Sequence, residues 1–480
     1  MKALFAALIA FATLVVAGCG LGSDEKSGAS GGESAASIVP ASAALHVSVS
    51  SDLDSEQWAK LEAVLEKFPG RSSLLEEIRS ELGEEDLDYE RDVAPALGDE
   101  VDLVLLDFKG GGENLIVLTK PDNEERLDEL LAKTDVKPAK ADIEGFTAIA
   151  DESGALESLR RAGGEESLAE SDDFQAAMAD LPDEAVAKIY VNGESAERAL
   201  EEELQDVSPA LARQGLRWAG AAVEALDNGV RIEGTVSAEN ENTKIENYTP
   251  ALLDSIPAGA LAVVSFRGGS DQLNEQLEAN PRLQNQLSQL QAALGVSFQE
   301  LTAFFHGESA LYVREDSPFP EVTLALEAAD EADAVRTLDR LAERAGGLFG
   351  SRPTKTMVSG IQVTTMGFGR FAVSYAAFDG TLLLTTAVSG ITDFRDEGKK
   401  LTDDAAYTGA REAAEVPGEI AGLLYVNIRE SVELAAKFAQ VAGEDVPPVL
   451  DANLRPLESF LMYAEQDGDE SHFSGFLEIE

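Results

Sequence analysis

Apolar and polar residues alternate along several short stretches of the chain. Leu45, Val47 and Val49 occupy every second position, Leu261, Val263 and Ser265 repeat the arrangement, and Val322, Leu324 and Leu326 follow it again. A period of two is that of a half-buried strand. Elsewhere the period lengthens. Trp58, Leu61, Leu65 and Phe68 share one helical face that starts near Ser55, Leu75, Ile78 and Leu82 mark a second helix, and Val335, Leu338 and Leu341 a third. Phe371 to Ala377 and Thr381 to Thr386 flank Phe378-Asp379-Gly380, which reads as a hairpin with an Asp-Gly turn. Few strands show the continuous apolar run of a doubly covered parallel sheet. The expected fold class is therefore α+β, a mainly antiparallel sheet with helices packed on one face.

The pattern occurs twice. Val39-Pro40-Ala41 and Ile256-Pro257-Ala258 each precede an alternating strand, so Leu45, Val47 and Val49 align with Leu261, Val263 and Ser265. Leu97-Gly98-Asp99-Glu100 matches His306-Gly307-Glu308, Asn114 to Lys133 matches Glu321 to Arg344, and Glu144-Gly145-Phe146 matches Ser359-Gly360-Ile361. Later, Ser167-Leu168, Asp173-Phe174, Leu181-Pro182 and Ile189-Tyr190-Val191-Asn192 match Lys400-Leu401, Ala406-Tyr407, Val416-Pro417 and Leu424-Tyr425-Val426-Asn427. Asp227-Asn228-Gly229 and Asp467-Gly468 each lead into a closing strand. Ordered matches of this kind imply two homologous α+β repeats, 39–239 and 256–480, joined by a linker at 240–255. The hairpin around Asp379-Gly380 has no partner in the first copy, which places the difference at a sheet edge.

Only one cysteine is present. Lys2, the apolar stretch Ala3 to Val16 and the small pair Ala17-Gly18 form a secretory signal. That stretch, about 14 residues, is short of the ~20 needed to span a bilayer. Cys19 directly after the small pair resembles the lipobox of bacterial lipoproteins. The resemblance implies a signal peptide at 1–18, a diacylglyceryl group on Cys19, further acylation, and a place on the outer face of the cell membrane. Residues 19–38 are rich in Gly, Ser and Glu and read as a flexible acidic tether. Its root-mean-square span of roughly 23 Å exceeds a screening length of ~8 Å.

The tether matters because the body is strongly acidic: 37 Lys and Arg against 89 Asp and Glu give a net charge of −52. Such a surface repels phosphate backbones, so no nucleic-acid partner is expected. The repeat order, with paired Pro-Ala openings and Tyr-Val-Asn strands behind a lipobox, resembles a family of secreted lipoproteins of high-GC Gram-positive bacteria catalogued as a domain of unknown function. That resemblance brings no catalytic residues.

Chemistry is sparse. His46, His306 and His472 stand in no metal-ligand spacing and read as ordinary strand or turn residues. Gly28-Ala29-Ser30-Gly31-Gly32 and Ser23-Asp24-Glu25-Lys26 match hydrolase motifs only in the tether, where no strand-to-helix elbow forms. Gly398-Lys399-Lys400 lacks the remainder of a phosphate loop. Glu84-Glu85-Asp86 with Asp88, and Asp467-Gly468-Asp469-Glu470, are oxygen-rich but lack full calcium-loop spacing. No catalytic residue, metal or cofactor is expected. The repeated Tyr190, Asn192, Tyr425 and Asn427 are candidate ligand or structural positions, with the asparagines as helix caps the simpler reading. The functional expectation is a membrane-anchored, non-enzymatic lipoprotein that binds a ligand or protein partner. The alternatives are a carrier of lipid or another hydrophobic molecule, and a carboxylate-based hydrolase.

Overall fold

A computed structural model describes residues 34–71, 94–108, 114–132, 138–162, 166–204, 215–239, 245–270, 291, 297–369, 371–442 and 446–480. The signal segment, Cys19, both tether motifs, the helix expected at Leu75 to Leu82 and the acidic run Glu84 to Asp88 lie outside these residues.

The first half runs β1 (Leu45–Ser50), α1 (Glu56–Leu65), α2 (Ala94–Leu97), β2 (Glu100–Leu105), β3 (Leu115–Thr119), α3 (Glu124–Ala132), β4 (Ala139–Ile143), β5 (Phe146–Ala150), α4 (Ser153–Ala162), α5 (Asp172–Ala179), β6 (Ala187–Asn192), α6 (Gly193–Leu204), β7 (Leu216–Leu226) and β8 (Gly229–Ala238). The second continues with β9 (Ala260–Arg267), α7 (Phe298–Thr302), β10 (Glu308–Arg314), β11 (Glu321–Glu327), α8 (Glu331–Phe349), β12 (Thr354–Val358), β13 (Ile361–Phe368), β14 (Phe371–Phe378) and β15 (Thr381–Thr385). It closes with α9 (Val388–Arg395), α10 (Ala405–Ala413), β16 (Gly422–Asn427), α11 (Ile428–Ala442), α12 (Pro448–Leu454), β17 (Leu457–Asp467) and β18 (Glu470–Ile479).

All strands pair antiparallel into one 18-stranded sheet. From one edge the first half reads β4-β5-β3-β2-β1-β6-β7-β8. From the other, the second reads β12-β13-β14-β15-β11-β10-β9-β16-β17-β18. The closing strands β8 and β18 pair with each other, Arg231 opposite Phe476 and Thr235 opposite His472, and so fuse the two sheets. Across this seam Thr235 Oγ1 and His472 Nδ1 are 2.8 Å apart, and Arg231 donates to the Ala413 carbonyl that ends α10.

The α+β class and the antiparallel sheet are present, but helices cover both faces, not one. Ile116 and Leu118 join a core with Leu156 and Leu159 of α4 and Ala177 of α5, whereas Val117 between them packs with Trp58 and Leu61 of α1 and Leu127 of α3. In the second half Leu383 packs with Phe394 of α9 and Tyr407 of α10, and its neighbour Leu382 with Leu338 of α8. The reason is legible in β3, β5 and β15. Each is an almost continuous buried run, the signature of a strand covered on both sides.

Local signals hold where they are described. The Ser55 hydroxyl caps α1 by accepting from the Trp58 N–H, and Phe68 falls just beyond that helix. Asp379 (φ 51°) and Gly380 (φ 75°) both take left-handed conformations, as a tight hairpin turn between β14 and β15 requires. The extra hairpin is a different one from that expected. β5 pairs with β3 and is followed by α4; β15 pairs with β11 and is followed by α9. Thus β4–β5 corresponds to β14–β15, and β12–β13 is the addition, lying at the free edge of the second half.

Candidate functional site

Strand pairing aligns the two halves more strictly than sequence does. His46 faces Tyr190 on β6, and Val263 faces Tyr425 on β16. His46 also faces Val104 on β2, and Val263 faces Tyr312 on β10. His46 therefore corresponds to Val263, and the alignment of Leu45 with Leu261 is one residue out of step. A slip of one residue exchanges the two faces of a strand, so it hid the comparison that matters. In correct register Ser48 corresponds to Ser265, Asp102 to Ala310, Glu100 to Glu308 and Lys188 to Leu423.

The framework around these positions is the same in both halves. Val39 and Ile256 are fully buried, and their carbonyls accept from the Leu168 and Leu401 amides at 2.6 and 2.8 Å. Phe174 meets Tyr190 edge-on with ring centroids 5.2 Å apart, and Tyr407 meets Tyr425 edge-on at 5.1 Å. Asn192 caps α6 by accepting from the Ser195 N–H, and Asn427 caps α11 by accepting from the Glu430 N–H, each at 3.0 Å. The four repeated residues thus lie in the shared scaffold, with both tyrosines buried. Burial, and then the Asp173 charge, push the Tyr190 hydroxyl up to about 12.

What surrounds the scaffold differs. In the first half His46 Nε2 lies 2.9 Å from Asp102 Oδ1, with both side chains almost fully buried and the Phe174 ring edge-on to the imidazole at 5.9 Å. Ser48, one alternation further along β1, stands directly between Asp102 on β2 and Lys188 on β6. Its hydroxyl donates to the Glu100 carboxylate. Desolvation, followed by the neighbouring Asp102 charge, pushes the Glu100 carboxyl up; the Ser48 hydrogen bond and Lys188 oppose this only in part. Ser48 and Lys188 are half-buried and Glu100 is exposed. The five side chains form a polar cluster on one face of the sheet, buried at the His46–Asp102 end and exposed at Glu100.

The second half closes the same place. The lead-in segment brings Tyr248 over the sheet, and its hydroxyl bonds Ser265 Oγ at 2.7 Å. Glu308 turns inward and accepts from the Ala251 and Leu252 amides of the 3₁₀ turn Ala251–Asp254, at 3.0 and 2.8 Å. Ser265 is 1% and Glu308 4% exposed. Val263, Ala310 and Leu423 replace the imidazole, the carboxylate and the ammonium with packed hydrocarbon. Counting back from the Pro257 and Pro40 openings, the residue matching Tyr248 is Gly31, which lies outside the described residues.

The other sequence candidates have structural partners. His306 Nδ1 is 2.6 Å from Ser270 Oγ, and His472 sits in the seam. Lys400 donates to the Ser255, Asp393 and Phe394 carbonyls, capping α9, and desolvation pushes its ammonium down. Asp467 to Glu470 turns β17 into β18. Among the described residues no group of three or more metal-type ligands forms. None of Ser48, Glu100, Asp102 and Lys188 was singled out from sequence. The available signal was Glu100 and Asp102 at alternate positions of an otherwise apolar strand, with Glu308 and Ala310 at the matching positions of the duplicate.

Among the described residues no helix is long and apolar enough to cross a membrane. A search of curated proteins finds no match. A solved structure described as "Structure of crystal form I of TP0453" overlaps 48% of this chain and 80% of its own at 11% identity, with a TM-score of 0.25, too low to carry an argument. The sequence model of one family, described as "Protein of unknown function (DUF3352)", matches residues 3–143 and 122–478. With nearly the whole length matched, the chain belongs to the DUF3352 family.

Proposed function

We propose that this protein is a lipid-anchored, non-enzymatic binding module of the outer face of the cell membrane, held by a lipid on Cys19, and that its first half takes a small polar ligand. One observation carries the binding part. The same place is sealed in the second half, where Val263, Ala310 and Leu423 are packed hydrocarbon and Glu308 turns to backbone amides, but polar in the first, where Ser48 and Lys188 are half-buried and Glu100 is exposed. The sealed copy shows that the fold needs neither an acid–imidazole pair nor an ammonium at this place. A buried acid–imidazole pair usually stabilises less than packed hydrocarbon of similar volume. Its presence in one copy therefore favours a role in recognition over a role in folding.

Anchoring rests on the signal and on Cys19 in the sequence. Two acyl chains hold a protein firmly, since each buried CH₂ contributes about 0.8 kcal/mol. Fractionation of cells expressing Cys19→Ala tests it: release from the membrane fraction is expected, and retention equal to wild type overturns the anchor. Binding is tested by native mass spectrometry of the chain purified from its own membranes in mild detergent. A small-molecule adduct on wild type that is absent from Lys188→Met is expected; identical spectra overturn the binding role.

A further inference from the structure

The outer edge of the second half is a strand with one neighbour. β12 belongs to the added hairpin, and among the described residues it pairs with β13 alone. Thr354, Lys355, Thr356 and Met357 are exposed, Met357 at 67%. An open edge offers unpaired backbone donors and acceptors to another strand, and folded proteins usually guard it with charge, proline or a bulge. At the opposite edge, β4 has Lys140 and Asp142 exposed at alternate positions. β12 contains no proline, and its pairing with β13 is regular from Thr354 to Val358. Its one charge, Lys355, is engaged by Asp339 of α8 at 2.5 Å. Thr354, Thr356 and Val358 are β-branched, the kind of side chain best suited to a strand.

Charge selects the partner. Nearly one residue in five is acidic, yet no Asp or Glu occurs from Arg344 to Phe378, the longest such run in the sequence. That run holds β12, β13 and β14. Asp339, beside it, is already bonded to Lys355, Tyr375 and Thr364. Two copies of a chain with net charge −52 repel wherever acid meets acid, and contact along β12 avoids this. A basic partner would be drawn to the acidic surface elsewhere, not to this strip. The strand is also self-complementary. Antiparallel pairing with its own copy about Thr356 sets Thr354 opposite Val358 and Lys355 opposite Met357, so no like charges face each other.

The geometry suits two anchored copies. The chain enters the described structure on the face covered by α4 and α5, where Ala35 and Ala36 join Leu156 and Leu159 in one core. Identical strands that pair antiparallel are related by a two-fold axis perpendicular to their sheet, which leaves each face of one copy level with the same face of the other. Both tethers therefore start from one side of the joined sheet. The five residues of β12, about 17 Å of strand, make a small interface beside the ~1,600 Å² of a typical stable complex. Pairing is weak in dilute solution, and holding both copies in one membrane raises the effective concentration that completes it.

We propose that β12 is a self-association edge: two copies of this chain join antiparallel through Thr354–Val358, centred on Thr356, into one continuous sheet. The pairing is independent of the ligand role above and uses the Cys19 anchor only for proximity.

Cysteine oxidation tests it on the full-length chain carrying Cys19→Ala, so that each introduced thiol is the sole one. The protein is held in mild detergent at high micromolar concentration, where no anchor is needed. The two Thr356 Cα atoms of the pair lie about 4.5–5.5 Å apart, inside the range a disulfide spans. Thr356→Cys is therefore expected to give about 10-fold more disulfide-linked dimer than Met357→Cys, whose two sites are offset along the strands, or Ala141→Cys on β4. Thr356→Asp sets like charges directly opposite each other and should weaken self-association about 10-fold by sedimentation equilibrium. Thr356 is exposed, so neither substitution disturbs a core. No dimer from Thr356→Cys, or equal dimer from all three cysteine variants, overturns the assignment. Self-association indifferent to Thr356→Asp overturns it as well. So does a mixed disulfide between Thr356→Cys and Ala141→Cys chains, which marks head-to-tail growth between unlike edges.

Discussion

His46 Nε2 lies 2.9 Å from Asp102 Oδ1 in the interior of the first half, and at the matching register positions of the second half stand Val263 and Ala310. The duplicated sheet thus contains its own control for a buried polar pair. Removing one partner of such a pair leaves the other buried and uncompensated, at a cost of about 3–5 kcal/mol, whereas replacing both by hydrocarbon is close to neutral. Asp102→Ala should therefore destabilise strongly, and His46→Val combined with Asp102→Ala should recover most of the loss. Urea unfolding of the two single variants and the double variant checks this. A double variant as unstable as the sum of the singles would exclude the coupling.

The seam makes a second prediction. β8 and β18 pair along their length, Arg231 reaches the end of α10, and Lys67 Nζ donates to the Ile479 carbonyl at 2.8 Å. Both tryptophans, Trp58 and Trp218, lie in the first half. Tryptophan fluorescence therefore reports that half alone, while far-ultraviolet circular dichroism reports both. The expected result is one urea midpoint by both probes, because unfolding either half exposes the closing strand of the other. Separate midpoints would show that the halves open independently.

Acidity around Glu100 yields a pH dependence. The Glu100 carboxyl is pushed up by desolvation and by Asp102, so the folded state holds its proton to higher pH than the unfolded chain. More protons on the folded state mean that stability falls as pH rises. The contribution is fully present below the ordinary carboxylate range and lost as pH climbs through the raised folded value. Glu100→Gln should flatten the urea-midpoint profile across that window and leave the variant the more stable protein at neutral pH. A profile parallel to wild type would show that Glu100 is not strained.

Asn192 and Asn427 cap α6 and α11 in the same way. Alanine at either should cost about 1 kcal/mol, the usual value of an N-cap, as a modest drop in urea midpoint. Midpoints equal to wild type would show that neither cap holds its helix.

Close backbone packing sets a last expectation. A Cβ on Gly220 of β7 would lie 2.2 Å from the Ala177 carbonyl oxygen of α5. Gly220→Ala must push helix and sheet apart, and overpacking of this kind costs about 1–3 kcal/mol. A urea midpoint equal to wild type would show that α5 has room to move.

Much of the local structure was legible in particular residues. Ser55 announced α1, Asp379-Gly380 announced the β14–β15 turn, and the pairs Leu168 with Leu401 and Tyr190 with Tyr425 located the repeat. The site was not legible, for a geometric reason. Leu45, Val47 and Val49 look like the inward face of a half-covered strand, and aligning apolar with apolar slid the copies by one residue. The strand is covered on both sides, so its polar positions, His46 and Ser48, are also turned toward protein. Only pairing with β2 and β6 reveals their neighbours.

By itself the chain determined its α+β character, its duplication, its acidity and the helix and turn signals, because period, caps and turn residues act within a few positions. Tertiary structure alone decided which strands are neighbours, which hairpin is the addition, and that β8 and β18 fuse the halves. It also decided that one copy seals with Tyr248 and Glu308 the place the other leaves polar at Ser48 and Glu100. Those outcomes rest on packing between segments far apart in sequence, where a one-residue change of register reverses every side chain.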